Sequence, residues 1–188
     1  MSVSDPLRQA RDATEALSRS VVELGRQLGL RVACAESLTG GLLAAAIVDT
    51  PGASYVLNGG VVVYDSDLKR RLCGVDAALL AQHGPVHSEV AEQMARGVRS
   101  ACAVTRHGEL VRADIGVATT GVAGPDADPQ TGQPPGTVFI GVSSERGDEV
   151  LRFAFSGDRA AIREATVRAA LEALLGHLRH RFADRGGS

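Results

Sequence analysis

Leu17, Val21, Leu24 and Leu28 recur at the spacing of one helical face and are followed by Gly29, so residues 6 to 28 read as a helix that stops at a glycine. The period then changes. Residues 31 to 35, "RVACA", form a short apolar run followed by a turn, the pattern of a strand covered on both faces of a sheet. Residues 41 to 49 return to a helical pattern, stopped by Pro51-Gly52. The β-branched run in "NGGVVVY" predicts a second strand at 58 to 64, after which Asp65 or Ser66 caps a short helix carrying Lys69 and Leu72. Two further helices are expected at 76 to 82 and 88 to 103, separated by "HGPVH"; the second puts Val90, Met94, Val98 and Ala101 or Cys102 on one face.

Strands are expected at 114 to 119, 136 to 143 and 149 to 155, the last two joined by the Glu145 to Asp148 turn as an antiparallel hairpin. Before that hairpin runs "GVAGPDADPQTGQPPG", residues 121 to 136, too long for a plain connector and a candidate binding loop. A final helix over about 158 to 182 carries Ile162, Ala165, Ala169, Leu174 and Leu178. This order implies an α/β fold, a three-layer α/β/α arrangement of a mixed β-sheet flanked by helices on both faces. One domain over 1-188 is expected, with the termini, about 1-5 and 183-188, disordered. Ligands of such sheets gather at the carboxyl ends of strands, and three polar, glycine-rich segments follow predicted strands: 36 to 41, 64 to 69 and 120 to 136.

Composition narrows the partners. Hydrophobic residues make up 44% of the chain, enough for a core, and 20 basic against 22 acidic residues give a formal net charge of −2. With 3% aromatics and no Trp, the chain lacks the basic stripe and stacking rings of a nucleic-acid face, so a small-molecule substrate is expected and nucleic acid is not. No segment reaches the ~18 apolar residues of a membrane span and the N-terminus has no signal core, so no membrane partner and a cytoplasmic location are expected. Cys34, Cys73 and Cys102 are odd in number, widely spaced and set among apolar residues, as suits reduced core cysteines rather than disulfides or a zinc site. His83 and His87 are four apart, but Gly84 and Pro85 break the helix that would bring both rings to one face, so they read as loop residues and no metal site is expected.

The segment "AESLTGG" carries the first candidate chemistry. Ser37 falls between a strand and a helix, where a hydroxyl is held on a rigid support, and Gly40 and Gly41 let backbone N–H groups at the helix start face an anion. A helix cap by Ser37 or Thr39 explains the hydroxyls equally well, but it does not explain Glu36. The chain has neither a G-x-S-x-G elbow, nor a G-x-x-x-x-G-K-[ST] phosphate loop, nor a G-x-G-x-x-G after a strand. A serine nucleophile here needs a base other than histidine, and Lys69 is the candidate. The positive end of a helix dipole, with Arg70 and Arg71, would lower its pKa; the alternative is a solvated surface lysine. Tyr64 can relay a proton or simply pack. Ser66-Asp67-Leu68-Lys69 also matches S-x-x-K of the penicillin-recognising enzymes, although the S-D-N and K-T-G partners are absent.

"AESLTGG" (35 to 41), "GGVVVYDSDLK" (59 to 69), "TGVAGP" (120 to 125), "PPGTVFIGV" (134 to 142) and "FSGDR" (155 to 159) together resemble the successive signatures of the CinA C-terminal domain family, from about residue 15 to 180. The resemblance implies a nicotinamide-nucleotide amidase, hydrolysing nicotinamide mononucleotide (NMN) to nicotinic acid mononucleotide and ammonia in pyridine nucleotide salvage. It implies Ser37 as nucleophile, assisted by Tyr64 and Lys69, with no metal and no cofactor. Backbone N–H groups near Thr39, Gly40 and Gly41, or at Gly121, would hold the oxyanion. Thr120, Gly121 and Gly124, with Thr137 and Arg159, would receive the 5′-phosphate. Arg159 could instead pair with Asp158, and Glu36 is expected either to orient the site or to pair with Lys69, which would raise the lysine pKa. A homo-oligomer, most simply a dimer, is expected on general grounds. The family includes longer proteins with an upstream nucleotide-pyrophosphatase domain, which this chain is expected to lack. A non-catalytic nucleotide-binding or interaction module, related to competence or the DNA-damage response, is the alternative. Leu38, Gln133, "GPVHS" (84 to 88) and a long 103 to 113 segment depart from the family pattern and bear on substrate affinity.

Overall fold

A five-stranded mixed sheet runs in the spatial order Leu57–Val62, Val32–Glu36, Ile115–Gly121, Thr137–Ser144 and Gly147–Ala154. A computed structural model describes residues 6–186, with side chains over 9–183. Helix α1 (Pro6–Leu28) leads into β1 (Val32–Glu36), α2 (Leu42–Val48) and a 3-10 turn at Ala53–Tyr55. Then come β2 (Leu57–Val62), α3 (Ser66–Cys73), α4 (Ala77–His83) and α5 (Ser88–Ala101). A small hairpin, β3 (Val104–Arg106) with β4 (Glu109–Val111), precedes β5 (Ile115–Gly121), β6 (Thr137–Ser144), β7 (Gly147–Ala154) and α6 (Arg159–Gly186). The expected three-layer α/β/α fold is found. Helix α6 continues past the expected end at 182, and residues 1–5 and 187–188, where disorder was expected, lie outside the described residues.

The two faces of the sheet are built from different residue sizes. Val32, Cys34, Ile115, Val117, Val138, Ile140 and Val142 pack with α1, α2 and α6 through Val21, Leu43, Ile47, Leu171, Leu174 and Leu178. Ala33, Ala35 and Ala118 turn the other way, toward Val90, Met94, Ala95 and Val98 of α5. Because alternate residues of a strand face opposite sides, the continuous apolar runs read from the sequence split into a bulky face and a small one. The small face lets α5 approach closely: a Cβ on Gly116 would lie 1.9 Å from the Ala95 carbonyl oxygen, and one on Gly141 2.3 Å from that of Ala91.

The hairpin β3–β4 was not visible in the hydrophobic pattern, since three residues a side are too few to show a period. Its turn is His107-Gly108, both at positive φ (52° and 85°), the two-residue turn geometry that usually carries Asn-Gly. Helix α6 buries more than the single stripe expected of it. Val167, Leu171 and Leu175 are covered as well as Ile162, Ala169, Leu174 and Leu178, because it packs against α1 and α2 as well as the sheet.

Candidate active site

Strands β2, β1 and β5 are parallel, so their carboxyl ends open on the same edge: Glu36 pairs with Val62 on one side and Thr119 on the other. The segments that follow them therefore emerge side by side, as the three polar segments of the sequence suggested.

After β1 the chain makes a tight turn. Ser37 N–H donates to the Thr119 carbonyl (3.0 Å), and Gly40 N–H returns to the Ser37 carbonyl (3.1 Å). The Thr39 hydroxyl meets that of Thr119 at 2.8 Å in the interior, which fastens the turn to the end of β5. Glu36 is 1% exposed and turns its carboxylate beneath the start of α2. There it accepts from the N–H groups of Gly41 (2.9 Å), Leu43 (3.1 Å) and Ala44 (2.8 Å). The anion at this helix start is thus the chain's own. Gly41, at φ 99°, supplies the left-handed conformation that swings the backbone around the carboxylate. This corrects two expectations: Glu36 makes no ion pair with Lys69, and the N–H groups of Gly40 and Gly41 are already engaged. Ser37 is 8% exposed, and its hydroxyl has no hydrogen-bond partner among the described residues. It is therefore no helix cap; Glu36 does that work.

After β2, Asp65 caps α3 by accepting from Asp67 N–H at 2.8 Å. Lys69 is 1% exposed, its ammonium donating to the carbonyls of Val63 (2.7 Å) and Tyr64 (3.0 Å). Burial pushes its pKa down from 10.5 to about 8, against the opposing pull of Asp65 and Cys73. The expected cause was the helix dipole with Arg70 and Arg71, but both arginines turn to Asp67 (2.7 and 3.9 Å). Tyr64 is 60% exposed, and its hydroxyl accepts from Arg159 Nη2 at 3.0 Å. Neither Lys69 nor the phenol hydrogen-bonds to Ser37, so the expected relay is not assembled in this structure.

Arg159 also donates to the Gly124 carbonyl (2.8 Å), so it joins the β2 segment to the 122–136 loop and does not pair with Asp158, whose carboxylate caps Ala161 N–H at 2.9 Å. Four residues later on α6, Arg163 donates to the carbonyls of Leu38 and Thr39, both at 2.9 Å. One face of α6 thus clamps all three segments. Sequence reasoning missed Arg163, and the i, i+4 spacing of the two arginines was the available signal. Thr120 donates its hydroxyl to the Pro85 carbonyl (2.6 Å). Thr137 is buried at the base of the loop, and a Cβ on Gly121 would lie 2.6 Å from the Thr137 carbonyl oxygen. The loop is held down at its far end: Gln133 donates to the Val86 carbonyl and Gln130 to those of Leu80 and Ala81. His83, expected in a loop, is instead the last residue of α4; its ring stacks on that of His87 at 4.8 Å between centroids, and His87 accepts from Glu89 N–H to cap α5. Cys34, Cys73 and Cys102 are free thiols, the first two buried. Clefts of about 490 and 410 Å³ lie beside Arg99 and Arg112 and beside Arg11 and Asp49, and neither is lined by Ser37, Tyr64, Lys69 or Arg159. The candidate site is an open strand edge rather than a deep cavity.

Residues 14–178 match the CinA C-terminal domain. The chain belongs to that family. A CinA-like protein of Thermotoga neapolitana is 39% identical over 167 residues, 89% of this chain and 38% of its own length. A Bacillus velezensis relative named as competence-damage inducible is 42% identical over 153 residues, 81% of this chain and 34% of its own. The chain thus spans about a third of the length of the curated relatives it matches. Among solved structures, the competence/damage inducible protein CihA of Agrobacterium tumefaciens superposes with a TM-score of 0.79 at 34% identity, covering 95% of this CinA domain and 99% of that chain. A CinA superfamily protein of Klebsiella pneumoniae gives 0.80 at 33% identity, covering 89% and 98%.

Proposed function

We propose that this CinA domain is an amidohydrolase that converts NMN to nicotinic acid mononucleotide and ammonia, with Ser37 as nucleophile. The observation that carries the reading is the unpartnered Ser37 hydroxyl, in a turn fastened by hydrogen bonds to Thr119 and Glu36. A nearly buried hydroxyl left free beside a fixed backbone is what acyl transfer needs.

Lys69 supports the reading in its neutral form. With its pKa near 8 an appreciable fraction is unprotonated at neutral pH. A neutral amine that donates its two protons to the Val63 and Tyr64 carbonyls keeps its lone pair in the remaining tetrahedral direction. In the reaction, Lys69 takes the Ser37 proton as Oγ bonds to the amide carbon. The proton then passes to the amide nitrogen, ammonia departs with the C–N electron pair, and water cleaves the acyl-enzyme ester to release the acid and restore the hydroxyl. Because neither Nζ nor the Tyr64 hydroxyl touches Oγ here, substrate binding must close that gap. Arg159 and the 120–125 segment, with Thr137 beneath, are assigned to the 5′-phosphate. Displacing Tyr64 or the Gly124 carbonyl would free the guanidinium for two parallel donations to phosphate oxygens.

The unassembled relay also favours a second reading, a nucleotide-binding module without turnover. Ammonia and acid formation from NMN and a panel of pyridine amides decides between them. Release well above an enzyme-free blank, with NMN preferred, is expected; no release from any of them would leave the binding module.

A further inference from the structure

We propose that Arg163 is a positioning residue that aims the peptide N–H groups of Leu38 and Thr39 at the oxyanion formed beside Ser37. This rests on the amide-hydrolysis reading and names donors it leaves unspecified.

In a trans peptide the C=O and N–H of one unit point in opposite directions, so fixing one fixes the other. The unit between Leu38 and Thr39 has its carbonyl held by Arg163 Nε at 2.9 Å, which turns the Thr39 N–H away from α6. The next unit has its carbonyl held by Arg163 Nη2 at 2.9 Å together with the Leu42 N–H at 3.2 Å, which directs the Gly40 N–H to the Ser37 carbonyl at 3.1 Å. That bond in turn orients the unit between Ser37 and Leu38, whose N–H points opposite. The guanidinium, with the Leu42 N–H on the middle unit, therefore orients three successive peptide planes.

The donors left over belong to the two residues that follow Ser37. In the turn, Ser37 N–H goes to Thr119, Gly40 N–H to Ser37 and Gly41 N–H to Glu36, whereas the N–H groups of Leu38 and Thr39 have no acceptor among the described residues. Consecutive free N–H groups form a concave anion cradle, and preorganised backbone donors beside the reacting atom stabilise charge that develops in the transition state. The guanidinium behind the two carbonyls adds positive potential of the same sense. Arg163 itself touches no substrate in this arrangement; both of its hydrogen bonds are to backbone.

The test pairs kinetics on NMN with amide hydrogen exchange in wild type, Arg163→Gln and Arg163→Lys. Arg163→Gln is expected to lower kcat about 10- to 100-fold with KM within about threefold, because the lost contact acts only in the transition state. Arg163→Lys should recover part of the loss, since an ammonium lacks the planar fork that holds both carbonyls together. Exchange at Gly40, whose N–H is held on the Ser37 carbonyl, should rise at least about tenfold in the glutamine variant, with the rest of the chain unchanged. Unchanged exchange at Gly40, a rise spread over the whole chain, or an effect on KM alone would overturn the proposal. A wild type that releases no ammonia defeats the amidase reading instead, and the exchange measurement then decides by itself whether Arg163 holds the turn.

Discussion

The turn after β1 and the segment after β2 leave the same edge of the sheet, yet they hold their polar groups in opposite ways. In the turn, three backbone N–H groups converge on Glu36, Arg163 holds two carbonyls, and what remains free is the Ser37 hydroxyl with two N–H groups. In the β2 segment the reactive side chains are the engaged ones: Lys69 on two carbonyls and Tyr64 on Arg159. The first is rigid and ready to receive an electrophile. The second must exchange partners before it can move a proton. Preorganisation is therefore concentrated where charge develops, and rearrangement where the proton travels.

Removing the free group should produce the largest effect. Ser37→Ala is expected to lower the rate by about three orders of magnitude or more while leaving the fold intact, because its hydroxyl makes no hydrogen bond among the described residues. A thermal melt and an NMN turnover assay check both halves. On the other segment, Lys69→Met should cost about 100-fold or more in kcat. Wild-type activity should rise with pH through about 8, as the depressed pKa of Lys69 is passed and its neutral form accumulates. A flat profile between pH 6.5 and 9.5 would remove Lys69 from the base role.

The same burial has a stability consequence of known sign. Its depression from 10.5 to about 8 corresponds to about 3 kcal/mol by which folding disfavours the charged amine. That penalty is present in full below pH 8 and is relieved as pH rises toward 10.5. Denaturant titrations of wild type against Lys69→Met should therefore shift in favour of wild type across that window.

Glu36→Gln sharpens the contrast from the structural side. Its amide can accept at one oxygen only and brings N–H groups against N–H groups, so a loss of about 1–3 kcal/mol in stability is expected in urea unfolding. The smallest effect is expected for Tyr64→Phe. With the phenol committed to Arg159, losing it should change kcat by less than about tenfold, whereas a loss matching that of Lys69→Met would restore the relay role.

Most of the architecture was legible because a long apolar period is local information. Leu17 to Leu28, the run ending at Ala35 and the β6–β7 hairpin each announce an element over a few residues. What the site does with its polar groups was less legible, for reasons of reach. Glu36 caps a helix by bending over a glycine turn to Gly41, Leu43 and Ala44, a spacing unlike the usual capping box. Arg163 meets Leu38 across 125 positions of chain, which no local pattern reports. Lys69 was picked out by its place after a strand, but the cause of its shift is burial, a property of the packed molecule rather than of its sequence neighbours.

Ammonia formation from NMN, measured side by side for wild type, Ser37→Ala and Ser66→Ala, tests the central assignment most directly. Wild type and Ser66→Ala should release ammonia and acid in equal amounts at comparable rates, and Ser37→Ala should release neither above the blank. Turnover retained in Ser37→Ala, or lost in Ser66→Ala instead, would contradict it.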